Sequence, residues 1–61
     1  MIIFEGDFVQ LWDNFNGPND AWLQVVTIEP YDICILSNGA MVCASDHYIS
    51  AVKSAFEVKH R

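Results

Sequence analysis

Asn38-Gly39 lies between two apolar runs, Ile33-Cys34-Ile35-Leu36-Ser37 and Ala40-Met41-Val42-Cys43-Ala44. Nothing else in the chain limits its fold as strongly. A type I′ hairpin turn needs φ > 0 at both central residues, and Asn followed by Gly meets that need at the lowest steric cost. With Asn38 and Gly39 as a two-residue loop, Ser37 faces Ala40, Leu36 faces Met41, Ile35 faces Val42 and Cys34 faces Cys43. Cys34, Leu36, Met41 and Cys43 then share one face, and Ile33, Ile35, Val42 and Ala44 share the other. A hairpin with one wet face alternates apolar and polar residues. This one is apolar on both sides, so something must cover its second face.

Other strands read outward from this hairpin. Residues 2–4 and 8–12 are extended, with Glu5-Gly6-Asp7 as a bend between them. In 8–12, Val9 and Leu11 form a small aliphatic face suited to a core, and Phe8, Gln10 and Trp12 form the opposite face. Residues 13–20 are a loop rich in Asn, Asp, Gly and Pro. Its faint likeness to a calcium loop fails, because Trp12 and Leu23 would stand where carboxylates are required. Residues 21–28 are a strand rich in β-branched side chains. There Trp22, Gln24, Val26 and Ile28 share one face, and Leu23, Val25 and Thr27 share the other. Pro30 ends it.

Beyond Ala44 the pattern has two readings. In one, Ser45-Asp46 caps a helix over 46–58 with Tyr48, Ile49, Val52, Ala55 and Phe56 as its apolar stripe. In the other, 46–49 is a single turn, a short strand follows at about 50–53, and the tail is a C-terminal helical segment.

The order of these elements resembles a small SH3-like barrel over residues 6–52. The resemblance rests on Gly6-Asp7-Phe8-Val9-Gln10-Leu11, on Trp22, Val25 or Val26 and Ile28, on the Asn38-Gly39 turn, and on Ala44-Ser45-Asp46 leading to Ile49-Ser50-Ala51-Val52. It implies a mainly β single domain, 1–61, of about five short strands (1–44 plus 50–53). The alternative is an antiparallel sheet with one packed helix at 46–58. The chain is also similar in pattern to the plasmid-borne type II dihydrofolate reductases, in which four identical barrels surround a pore for folate and NADPH. That pore is lined by Val-Gln-Ile-Tyr; here Met41-Val42-Cys43-Ala44 stands in its place, and basic residues for the anionic ligands are missing from the body. The activity is not carried over, and no cofactor is expected.

Charge narrows the partners. Of 61 residues eight are acidic, and seven of these lie at or before Asp46; the three basic residues, Lys53, Lys59 and Arg61, all follow it. Replacing phosphate counterions takes Lys and Arg, so direct nucleic-acid binding is not expected. No apolar run reaches the roughly 18 residues of a membrane helix, and the first residues lack a signal-peptide pattern. A cytoplasmic location is therefore expected, and so compact a chain fits a phage or mobile-element protein.

Three chemistries suit Cys34 and Cys43: two reduced, small apolar residues, a cross-strand disulfide, or a metal site completed by His47 and His60. The spacing fits no usual zinc pattern, so no metal is the leading reading. Catalytic motifs are missing, and Asp46 beside His47 is better placed as a cap than as an acid–base partner. Trp22 and Tyr31 belong to the same aromatic set as Phe8, Trp12 and Phe15, with Trp22 assigned to the core. With hydrophobic residues at 52% of so short a chain, some apolar surface is left for contacts. The expected partner-binding residues are Phe8, Trp12, Phe15, Leu36 and Met41. The expected function is a non-enzymatic protein-interaction module, accessory or regulatory, acting as a homo-oligomer or on a protein partner. The alternative is an enzyme whose site forms only between subunits.

Overall fold

A computed structural model describes residues 1–13 and 17–55. The chain is mainly β: β1 (Phe8–Asp13), β2 (Gly17–Pro18), β3 (Leu23–Glu29), β4 (Ile33–Leu36), β5 (Met41–Cys43) and β6 (Ile49–Lys53). Five of these form an antiparallel sheet in the order β6-β1-β3-β4-β5, and β2 pairs the far end of β1.

Val9, Val25, Cys34, Leu36 and Ile49 are buried at the centre with Ile3, and Leu11, Leu23, Ile28, Ala40, Val42 and Ala44 pack around them. Small aliphatic side chains at alternate positions of four strands thus build the core. Residues 2–4, expected as a strand, join no ladder, although Ile3 reaches the core.

Between β1 and the N-terminal segment the chain reverses at Phe4–Asp7. Asp7 N–H donates to the Phe4 carbonyl at 3.1 Å, and Gly6 has φ +95°. Positive φ at the third residue makes this a type II turn, where glycine is preferred. The Asp7 carboxylate is buried and accepts the Phe4 N–H at 2.9 Å and the Ala55 N–H at 3.4 Å, so the two ends of the described chain meet there.

The central hairpin forms with a different turn and register from those expected. Ile33 pairs Cys43, Cys34 pairs Val42 and Ile35 pairs Met41. Its loop is Ser37-Asn38-Gly39: Gly39 N–H donates to the Leu36 carbonyl at 2.9 Å, and Leu36 N–H to the Ala40 carbonyl at 2.8 Å. Gly39 has φ +87°, whereas neither Ser37 nor Asn38 has positive φ. This is a three-residue loop, a type I turn closed by a left-handed glycine. Asn38 contributes by accepting the Ala40 N–H on its side-chain oxygen at 3.0 Å. A one-residue change of register flips every side chain of one strand. Val42 and Ala44 therefore point inward beside Cys34 and Leu36, while Met41 and Cys43 point out.

A second departure lies in β3. Val25 pairs Leu36 but Thr27 pairs Ile35, which leaves Val26 as an extra, exposed residue. This bulge switches the parity of the strand, so Ile28 joins Leu23 and Val25 inside rather than opposing them.

Of the two readings beyond Ala44, the turn followed by a short strand is found, as β6, and the alternative helix over 46–58 is corrected. Ser45 supplies one turn only: its carbonyl accepts the Tyr48 and Ile49 N–H groups at 3.1 and 2.9 Å, and its hydroxyl oxygen accepts the His47 N–H at 3.1 Å. The cap is therefore Ser45, not Asp46. The chain then enters β6, which satisfies the open edge of β1. Ladder bonds to β1 and burial of Ile49 outweigh the helical periodicity of the segment. Ser50 is the extra residue of a bulge against β1, and its hydroxyl donates to the Gln10 carbonyl at 3.2 Å. The part of the expected tail helix beyond residue 55 lies outside the described residues.

Candidate interaction surface

The outer surface of the sheet has two apolar regions. The first is built on β1. Phe8 lies between Gln24 and Lys53 in the ladder and is half-buried. The Lys53 ammonium sits 4.2 Å from the centre of the Trp22 ring, a cation–π contact. Trp22 is thus a surface residue rather than the core residue expected. Trp12 follows on the same face of β1, 46% exposed, with its indole N–H held by the Asp46 carbonyl at 2.9 Å and its backbone N–H by the Tyr48 carbonyl at 3.0 Å. The ring is fixed at one end and open to solvent over its body.

The second region is the outer face of the β4–β5 hairpin. Cross-strand pairing aligns Thr27, Ile35 and Met41 in one row and Glu29, Ile33 and Cys43 in the next. Side chains opposite one another on adjacent strands share a face, so Ile33, Ile35, Met41 and Cys43 form a four-residue apolar cluster. Met41 is 66% exposed. Cys43 is exposed as well, and Ile33 and Ile35 beside them are half-buried.

Of the expected partner-binding residues, Phe8 and Trp12 share one face of β1 and Met41 stands apart on β5. Leu36 is 1% exposed and belongs to the core, which corrects its assignment. The register accounts for this: a two-residue loop would put Leu36 on one face with Met41, and the three-residue loop puts them on opposite faces. Phe15 lies outside the described residues. Ile33, Ile35 and Cys43 were not expected at a surface together; no local pattern marks the three-residue loop that puts them there.

The same shift corrects both linked-cysteine readings. Cys34 is buried and Cys43 exposed, on opposite faces of the hairpin, and both thiols are free. A metal site of Cys34, Cys43 and His47 is not assembled, and among the described residues no cluster of three or more such ligands exists. His60 lies outside the described residues. Burial, with smaller effects from Asp32 and Cys43, pushes the Cys34 thiol above its ordinary range.

Two further features escaped the sequence. Glu5 is fully at the surface, yet its carboxylate oxygen accepts both the Ile28 N–H and the Thr27 hydroxyl at 2.9 Å, and these bonds hold it below the usual glutamate range. Tyr31 and Asp32 have φ of 67° and 59°, left-handed values that aspartate adopts more readily than a bulky tyrosine. Tyr31 is 95% exposed.

The described residues form no pocket and contain no helix long and apolar enough to cross a membrane. Comparison with protein-family models, curated proteins and solved structures finds no match to this chain.

Proposed function

We propose that this chain is a small SH3-like barrel acting as a non-enzymatic protein-interaction module, and that it works by self-association. The observation that carries the reading is the apolar outer face of β4 and β5, where Met41 and Cys43 are exposed beside half-buried Ile33 and Ile35. Fully burying a side chain such as Met41 is worth about 1.5–3 kcal/mol, so a contact over this cluster is favourable. In a domain this small the interior is limited, and contact with a second surface offers the missing burial.

Strand order supports the barrel reading. β3, β4 and β5 form a meander, and the last strand, β6, returns to pair β1 on the side opposite β3. The surface charge supports a protein partner over nucleic acid: the net charge is −5, and Lys53 is the one Lys or Arg among the described residues.

Sedimentation velocity over a wide concentration range tests the proposal. A mass rising above that of the 6.9 kDa chain is expected. A single monomeric species at every concentration would overturn it.

A further inference from the structure

We infer that the self-association proposed above, on which this inference rests, runs through the free edge of β5, where the strand pairs antiparallel with β5 of a second copy. Hydrogen-bond parity identifies that edge. The bond from Leu36 N–H to the Ala40 carbonyl and the bond from Ala44 N–H to the Asp32 carbonyl, both 2.8 Å, bracket the β4–β5 ladder. Pairs in an antiparallel ladder alternate between bonded and non-bonded, so Cys34 and Val42 exchange bonds, whereas Ile33–Cys43 and Ile35–Met41 do not. The N–H and C=O of Met41 and the N–H of Cys43 therefore point away from β4. Among the described residues they meet no partner, and the Cys43 carbonyl accepts only the Ser45 N–H at 2.8 Å.

This pattern is self-complementary. A two-fold axis at Val42 sets Met41 opposite the partner's Cys43, and Cys43 opposite the partner's Met41. Each such pair exchanges two backbone bonds, giving about four across the seam by antiparallel geometry. The Cys43 carbonyl keeps its Ser45 bond, since a carbonyl oxygen accepts two. The outer rows then run on without a break: Ile35 and Met41 of one copy meet Cys43 and Ile33 of the other. The occupant is a second copy because the same edge supplies donors and acceptors in matching order and the strand carries no charge. Natural sheets block such pairing with edge lysines, as β6 has in Lys53; β5 has none.

Two substitutions test the seam. Met41→Pro removes an N–H that the chain's own ladder does not use, and Met41→Lys places a charge on the edge. Each is expected to weaken association at least tenfold by sedimentation while the amide spectrum of the monomer stays folded. Equal association of wild type and both variants would overturn the seam and leave the interaction module standing. Loss of association in Met41→Lys alone, with Met41→Pro folded and still dimeric, would also overturn it, because the contact would then be the face and not the edge. A wild type that never associates would overturn both readings. If Met41→Pro does not fold, amide exchange in the wild type decides. Protection of the Met41 N–H that rises with dimer population supports the seam, and protection that does not change overturns it.

Discussion

The Glu5 carboxylate takes the place of a strand beside Ile28. β3 is paired on that side as far as Val25, whose N–H and C=O bond Asp7 and Gly6 at 2.7 and 2.8 Å. There the N-terminal segment turns away, and Glu5 Oε2 accepts the Ile28 N–H at 2.9 Å. The Thr27 hydroxyl donates to the same oxygen, which closes the backbone around the Val26 bulge.

This pairing makes stability depend on pH in a defined direction. The folded state holds Glu5 below its ordinary value of 4.5. A depressed carboxylate contributes stability that is fully present above the unfolded-chain value and is lost as pH falls through the folded value. Glu5→Gln is expected to unfold more easily than wild type at pH 7, and the gap is expected to narrow as pH falls below 4.5. Urea midpoints of both proteins along a pH series check this; a gap independent of pH would rule out the carboxylate's charge as the cause.

Leu36→Ala is expected to cost about 2–5 kcal/mol, the range for emptying a buried leucine site. A core this small rarely supplies more than about 3–5 kcal/mol in total, so the variant should be largely unfolded by circular dichroism. Were Leu36 a contact residue instead, the variant would stay folded and lose only association.

Gly39 and Asn38 are expected to differ in tolerance. Gly39→Ala forces a side chain into left-handed backbone and should cost about 1 kcal/mol or more. Asn38→Ala gives up only its bond to the Ala40 N–H and should cost less, about 0.5–1.5 kcal/mol for one hydrogen bond. Denaturant titrations of both variants distinguish this turn from a type I′ loop, in which position 38 would carry left-handed strain as well.

Tyr31→Gly is expected to stabilise the fold. The tyrosine buries almost nothing, and relief of left-handed strain is worth about 1–2 kcal/mol, less the greater flexibility of glycine in the unfolded chain. An unchanged or lower melting temperature would show that the ring makes a contact worth keeping.

Thiol labelling separates the cysteines. At concentrations low enough to keep the chain monomeric, one thiol per native chain, Cys43, should react promptly, and Cys34 only on unfolding, since it is buried and held in the neutral form. Two equally fast thiols would contradict the observed register.

Much of the β architecture was legible in the residues. The division of β1 into a Val9–Leu11 face and a Phe8–Gln10–Trp12 face follows from alternation alone, and the meander follows from Pro30 and Gly39 as punctuation. The helix-or-strand choice at 46–53 was open, because Tyr48, Ile49 and Val52 satisfy a helical stripe as well as a strand; the unpaired edge of β1, a tertiary fact, decides it. The candidate surface was less legible. Val26 and Ser50 look like ordinary strand residues, yet each is the extra residue of a bulge, and a bulge reverses every inside–outside assignment beyond it. The Asn38-Gly39 pair marks a corner correctly without stating how many residues turn it.

That corner has three residues, not two, and the number decides which side chains meet the world. Deleting Ser37 would shorten it, rotate β5 by half a period, send Met41 and Cys43 to the interior and expose Val42 and Ala44. Loss of a single codon, with no side chain substituted, would thus exchange one apolar pair for another at the surface of β5. In such a domain a change in loop length remodels what the molecule touches more thoroughly than a change in any one contact residue.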